Sequence, residues 1–194
     1  ATTAAFIFTV LAVLLSVPTL VFTVLTHINA AKFLESIRPY KDQDYTVTFA
    51  LGWTYFISAV SIIGGIPFAT ELYRRFRGLM PLNKSGYMPV NRVALVALTF
   101  AICWAIPVGI NFKRGTPVPL DLDCAWLTPE LVFKRLKMTA DYSYFINTCN
   151  ATKGWEVTMP GTLAAWALAA LSALISRSAV NSTTRYGGAT AADV

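Results

Sequence analysis

The sequence predicts an all-α integral membrane protein, four transmembrane helices in a bundle with short amphipathic elements in the first and third loops. Three observations carry that expectation. Of the 194 residues, 55% are hydrophobic and only 13% charged, where a soluble domain has about 25% charged residues. The apolar residues are gathered into four runs, at residues 5–25, 47–69, 93–110 and 160–180. The first three contain no Asp, Glu, Lys or Arg, and the fourth has only Arg177. Crossing the hydrocarbon layer takes roughly 17 to 25 helical residues, a length the fourth run reaches only with its flanks. Too little polar sequence is left over to cover a soluble core, so the chain reads as one membrane domain, residues 1–194, with an extramembrane loop at 111–158.

The formal charge of +6 would suggest nucleic acid in a soluble protein. Here the basic residues cluster at the edges of the apolar runs, where anionic lipid and the orientation rule favour them. Membrane lipids and other integral membrane subunits are therefore the expected partners, and nucleic acid is not.

The first run begins almost at residue 1, without the basic region that opens a cleavable secretory signal, and reads as a retained span. Pro18 lies in its interior and removes one backbone donor, so a bend is expected there. After it, Ala30, Phe33, Leu34 and Ile37 recur at helical spacing between Lys32, Glu35 and Arg38. That amphipathic stretch either lies in the headgroup region or continues the first helix. His27 has no second histidine or cysteine arranged with it for metal.

The second run carries Gly52, Ser58, Ala59, Ser61, Gly64 and Gly65, followed by Pro67. Small residues permit close helix crossings, and Gly64-Gly65-Ile66-Pro67 has the composition of a broken helix, a device of transporters. Packing is the preferred reading. Beyond Glu71, Arg74, Arg75 and Arg77 stand in one short loop with Lys84 and Arg92. Counting basic residues places that loop on the cytoplasmic side, and both termini with it. Which membrane is involved is not encoded.

The third run contains Cys103, Trp104 and Pro107. Cys103 has no base nearby in sequence and reads as a small packed hydrophobe. In the connection that follows, Thr128-Pro129-Glu130 has the chemistry of a helix start, and Lys134, Arg135 and Lys137 form a basic edge. Cys124 and Cys149 are the only cysteines outside the runs. In an oxidising compartment they are expected to form a disulfide closing a loop of about 25 residues, worth roughly 3 to 4 kcal/mol. On the same side Asn150-Ala151-Thr152 makes Asn150 a candidate glycosylation site, while Asn181-Ser182-Thr183 falls on the other side.

The fourth run opens at Pro160. Gly161, Ala165, Ala169 and Ala173 recur every fourth residue, a nearly flat helix face suited to close packing. Leu163, Trp166, Leu171 and Leu174 are expected to cover other sides. Trp53, Tyr55, Phe76, Tyr87, Trp126 and Trp155 lie near the proposed headgroup zones and read as interfacial anchors.

Chemistry is sparse. No Asp, Glu or Lys lies within the runs, and Asp121 and Asp123 have no histidine beside them. No nucleotide loop, paired-histidine motif or nucleophile signature is present. The expectation is no catalytic residue, no cofactor, no metal and no enzymatic activity. What remains is an accessory or organising membrane subunit that packs on a larger membrane protein or self-associates. The alternative is a small transporter or channel for a neutral or lipid-like solute, built around Pro18, Gly64, Gly65, Pro67 and Pro107.

Overall fold

Four long helices form the structure, a computed structural model that describes residues 2–36, 49–81, 88–114 and 142–187. They are α1 (Thr2–Ser36), α2 (Phe49–Phe76), α3 (Val90–Arg114) and α4 (Tyr142–Gly187). Each contains a stretch long and apolar enough to cross a membrane: Thr3–Phe33, Leu51–Phe76, Val90–Ile110 and Ser143–Ser176. The chain is an all-α, multi-span integral membrane protein.

Successive helices run antiparallel. In α1 and α4, Phe33 meets Phe145 with ring centroids 5.4 Å apart, Phe22 lies against Gly154 and Leu15 against Gly161. Rising numbers in one helix thus meet falling numbers in the other. The same holds for α1 and α2, where Phe6 meets Tyr73 and His27 meets Tyr55. Between α2 and α3, Ser61 meets Trp104 and Arg75 meets Met88. Between α3 and α4, Phe100 stacks on Trp166. The most extensive contact is α1 on α4, which closes the bundle.

Helix boundaries differ from the hydropathy reading at two places. Residues after Thr26 continue α1 without a break to Ser36, so the amphipathic stretch continues the first helix that far, and its Ile37 and Arg38 lie outside the described residues. The last helix begins at Tyr142 rather than Pro160. Residues 142–159 include two Asn, three Thr, Lys153 and Glu156, so hydropathy assigns them to the loop. Their buried positions Phe145, Thr148, Thr152, Trp155 and Met159 nonetheless recur at three and four residues, the spacing of one helix face. At about 1.5 Å per residue, the 35 residues of α1 and the 46 of α4 exceed the hydrocarbon thickness, so these two helices project together beyond it.

Three interior prolines, Pro18, Pro67 and Pro107, lie within helices that run on past them, as does Pro160 in α4. The segment Gly64-Gly65-Ile66-Pro67 is continuous helix, not a broken one. Near Pro160, whose ring leaves a carbonyl without its helical donor, the hydroxyls of Thr158 and Thr162 donate to Gly154 O at 3.0 Å and Thr158 O at 2.8 Å.

The end of α2 has a full cap. Gly78, at φ +66°, donates its N–H to Arg75 O while Leu79 N–H reaches back to Arg74 O at 2.9 Å. This paired reversal is the Schellman arrangement, in which a glycine supplies the left-handed residue.

The candidate seam and the basic end

The polar face of α1 explains how the bundle closes. Ala5, Thr9, Ala12, Ser16, Thr19, Thr23, Thr26 and Ala30 are all buried, and they alternate four and three residues apart. A polar stripe inside a membrane bundle is costly unless its hydroxyls are bonded. Here Thr9, Ser16, Thr19 and Thr23 each donate to the carbonyl four residues earlier, at 2.6 to 2.8 Å. With those hydroxyls satisfied within the helix, the stripe becomes a row of methyl-sized side chains.

On α4, Thr152, Trp155, Met159, Thr162, Trp166, Ala169 and Ala173 are buried at the same alternation, with Trp166 turned toward α2 and α3. A repeat of three and four on both helices is the seam of a shallow, left-handed crossing. Ala165, Ala169 and Ala173 of the anticipated packing face are 2%, 1% and 2% exposed, and Gly161 lies against Leu15. The stripe is therefore occupied inside this chain. Leu171 and Leu174 point outward, whereas Trp166, expected on another side, is fully buried between Phe100 and Phe68.

The helix face that sequence reasoning overlooked is the one on α1. It carries the same periodicity, visible once Ser and Thr are counted as small residues.

The other half of the core is aromatic. Trp104 is buried and donates its indole N–H to Ser61 Oγ at 2.9 Å. Trp53 donates to Cys103 O at 2.9 Å, and the Tyr55 hydroxyl reaches Thr23 O at 3.3 Å. Trp53 and Tyr55 thus tie helices together, and Trp155, read as an interfacial anchor, is fully buried. The reason is its place on the α4 seam, which outweighs its polar neighbours in sequence. Thr26 Oγ1, Ser58 Oγ, Thr152 Oγ1 and the indole nitrogens of Trp155 and Trp166 are buried without a hydrogen-bond partner.

Of the disulfide expected between Cys124 and Cys149, the Cys149 half is present, because Cys149 is disulfide-bonded, and what is corrected is its expected place in a loop. No disulfide joins two described residues, since Cys103 is a free thiol and Cys124 lies outside the described set. Nor does Cys149 sit in an extramembrane loop: it is on α4, 8% exposed, although it is not a free thiol. Counting cysteines outside the hydropathy runs misplaced it, because the helix extends below the last run. Asn150, beside it, is exposed on the same helix. Tyr87, Asp121, Asp123, Trp126, the Thr128-Pro129 helix start and the basic edge at Lys134, Arg135 and Lys137 lie outside the described residues.

The basic cluster sits at the opposite end of the bundle from Asn150 and is built into the α2–α3 connection. Arg74 Nε donates to Met80 O at 2.7 Å and an Arg75 guanidinium nitrogen to Met88 O at 3.0 Å. The Arg77 guanidinium stands over the Tyr73 ring, 6.0 Å from its centre. Among the described residues, no group of three or more His, Cys, Asp or Glu is placed to hold a metal ion. His27 packs edge-on to Tyr55.

Compared with known protein families, curated proteins and solved structures, the chain matches none.

Proposed function

We propose that the protein is a non-enzymatic integral membrane subunit that organises or supports another membrane protein, or a second copy of itself, through its outer helix faces. The observation that carries this reading is the division of labour on α1. Its small residues are consumed by α4, while Ile7, Leu11, Leu14, Val21, Leu25 and Ile28 form an outer ridge, each 42% exposed or more. These large aliphatic residues lie three or four apart, with Val17, 45% exposed, bridging the step from Leu14 to Val21, and such spacing lets a second helix interlock. Of the four spans α1 is the least buried, 28% against 39% for the others, so it has the most surface to give.

The transport reading is second. The unpartnered hydroxyls of Thr26, Ser58 and Thr152 favour it, and the bulk of Trp104, Trp155 and Trp166 in the core opposes it.

Purification in a mild detergent with crosslinking tests the leading reading. A stable oligomer or co-purifying membrane protein, weakened by Val21→Trp without loss of the folded monomer, supports it. A strictly monomeric protein with no partner overturns it, and solute flux through reconstituted vesicles would transfer the assignment to transport.

A further inference from the structure

A groove of about 310 Å³ opens between α1 and α2 toward the basic end. Phe6, Val10 and Leu14 form one wall and Ile66, Thr70 and Tyr73 the other. The lining is almost wholly apolar, because the Thr70 hydroxyl is turned to Ile66 O at 2.8 Å. From Ile66 to Tyr73 the groove follows two turns of helix, about 10 Å. At its end the chemistry changes abruptly. Phe6 and Tyr73 meet with ring centroids 5.7 Å apart, and the Arg77 guanidinium stands over the same Tyr73 ring, 6.0 Å from its centre. Arg74 directly follows Tyr73, one turn before Arg77. The turn from Glu71 to Arg77 carries three arginines and one glutamate.

We propose that this groove holds one acyl chain of an anionic phospholipid, with the phosphate on Arg77 and Arg74. The charge and the apolar lining point to the same occupant. An unbranched chain fits a narrow groove between two helices, and a phosphate accepts from guanidinium groups at a membrane boundary, where basic side chains attract anionic lipid. Arg74 and Arg77 have donors to give: Arg74 uses Nε on Met80 O, and a guanidinium has five N–H groups in all. A zwitterionic lipid has the same chains but brings its own cation to the arginines. A partner helix would fill the groove but would leave the phosphate-matched end without an anion.

Native mass spectrometry of the full chain in mild detergent, titrated with phosphatidylglycerol or phosphatidylcholine of identical chains, tests the assignment. Phosphatidylglycerol should be retained about fivefold over phosphatidylcholine, the preference that one basic residue near a membrane surface supplies. Arg77→Gln, at an exposed position, should bring the ratio close to one with melting temperature unchanged. Thr70→Trp, also exposed, should fill the groove and lower retention of both lipids. Glycerol 3-phosphate, a headgroup without chains, should not displace the bound lipid. Equal retention of the two lipids, a preference that survives both substitutions, or displacement by glycerol 3-phosphate would each overturn the proposal. So would a wild-type dimer that excludes lipid and admits it only on dissociation, since the occupant would then be a second copy.

Discussion

Gly65 of α2 faces Val13 of α1 so closely that a methyl group built on it would collide with the Val13 Cγ2 atom, while the Trp166 ring of α4 lies 3.6 Å away on the same side. Three helices therefore converge on one hydrogen atom. Val13 is β-branched and stiff at χ1, so it cannot swing aside cheaply.

Gly65→Ala should consequently lower stability, because overpacking costs about 1 to 3 kcal/mol and exceeds the roughly 1 kcal/mol that alanine gains in helix propensity. Its neighbour Gly64 is the control. A methyl there would meet only Phe100 Cζ, at 3.4 Å, so Gly64→Ala should be neutral or stabilising. Unfolding midpoints of the two variants in one detergent check the contrast.

The α1–α4 seam predicts a second contrast. Ala169 is 1% exposed and Ala164 is exposed one turn away. Ala169→Leu should destabilise by about 1 to 3 kcal/mol, and Ala164→Leu should stay within about 0.5 kcal/mol. If both leave the unfolding midpoint unchanged, the seam is not where α4 packs.

The Ser61–Trp104 hydrogen bond should show coupling in a double-mutant cycle. Comparing Ser61→Ala, Trp104→Phe and the double variant should give about 0.6 kcal/mol, and at most about 1.7, the range found for side-chain hydrogen bonds between membrane helices. Trp155, whose indole nitrogen has no partner, should show no comparable coupling with Ser61.

Topology makes a prediction that needs no stability measurement. Met80, 83% exposed, lies at the end of α2, and Asn150 at the opposite end of the bundle. Cysteines introduced by Met80→Cys and Asn150→Cys should react with an impermeant maleimide from opposite sides of sealed vesicles. The basic-residue count predicts that the Met80 side is the cytoplasmic one, and labelling of Met80→Cys from the cytoplasmic side checks it.

The sequence was readable where hydrophobicity and charge act alone. Four spans, the small-residue face at Ala165, Ala169 and Ala173 and the basic end at Arg74, Arg75 and Arg77 all follow from local composition. It was misleading where burial depends on a partner helix. Residues 142–159 look like loop because Asn, Thr, Lys153 and Glu156 interrupt their apolar positions, yet Phe145 and Trp155 are buried on the seam. Likewise Thr9, Ser16, Thr19 and Thr23 look neutral in hydropathy. Only their bonds to the preceding turn turn them into an apolar packing surface. Trp155 misled for the same reason, since an amphipathic ring suits an interface or a seam equally and the register decides.

Photo-crosslinking in native membranes tests the central claim, that α1 gives its small face to α4 and its outer ridge to a partner. A photoreactive residue at Leu11 or Val21 on the ridge would be compared with one at Leu98 or Ile102, which are exposed on α3. The account predicts protein adducts from the α1 positions and lipid adducts from α3. Lipid adducts alone at Leu11 and Val21 would contradict it.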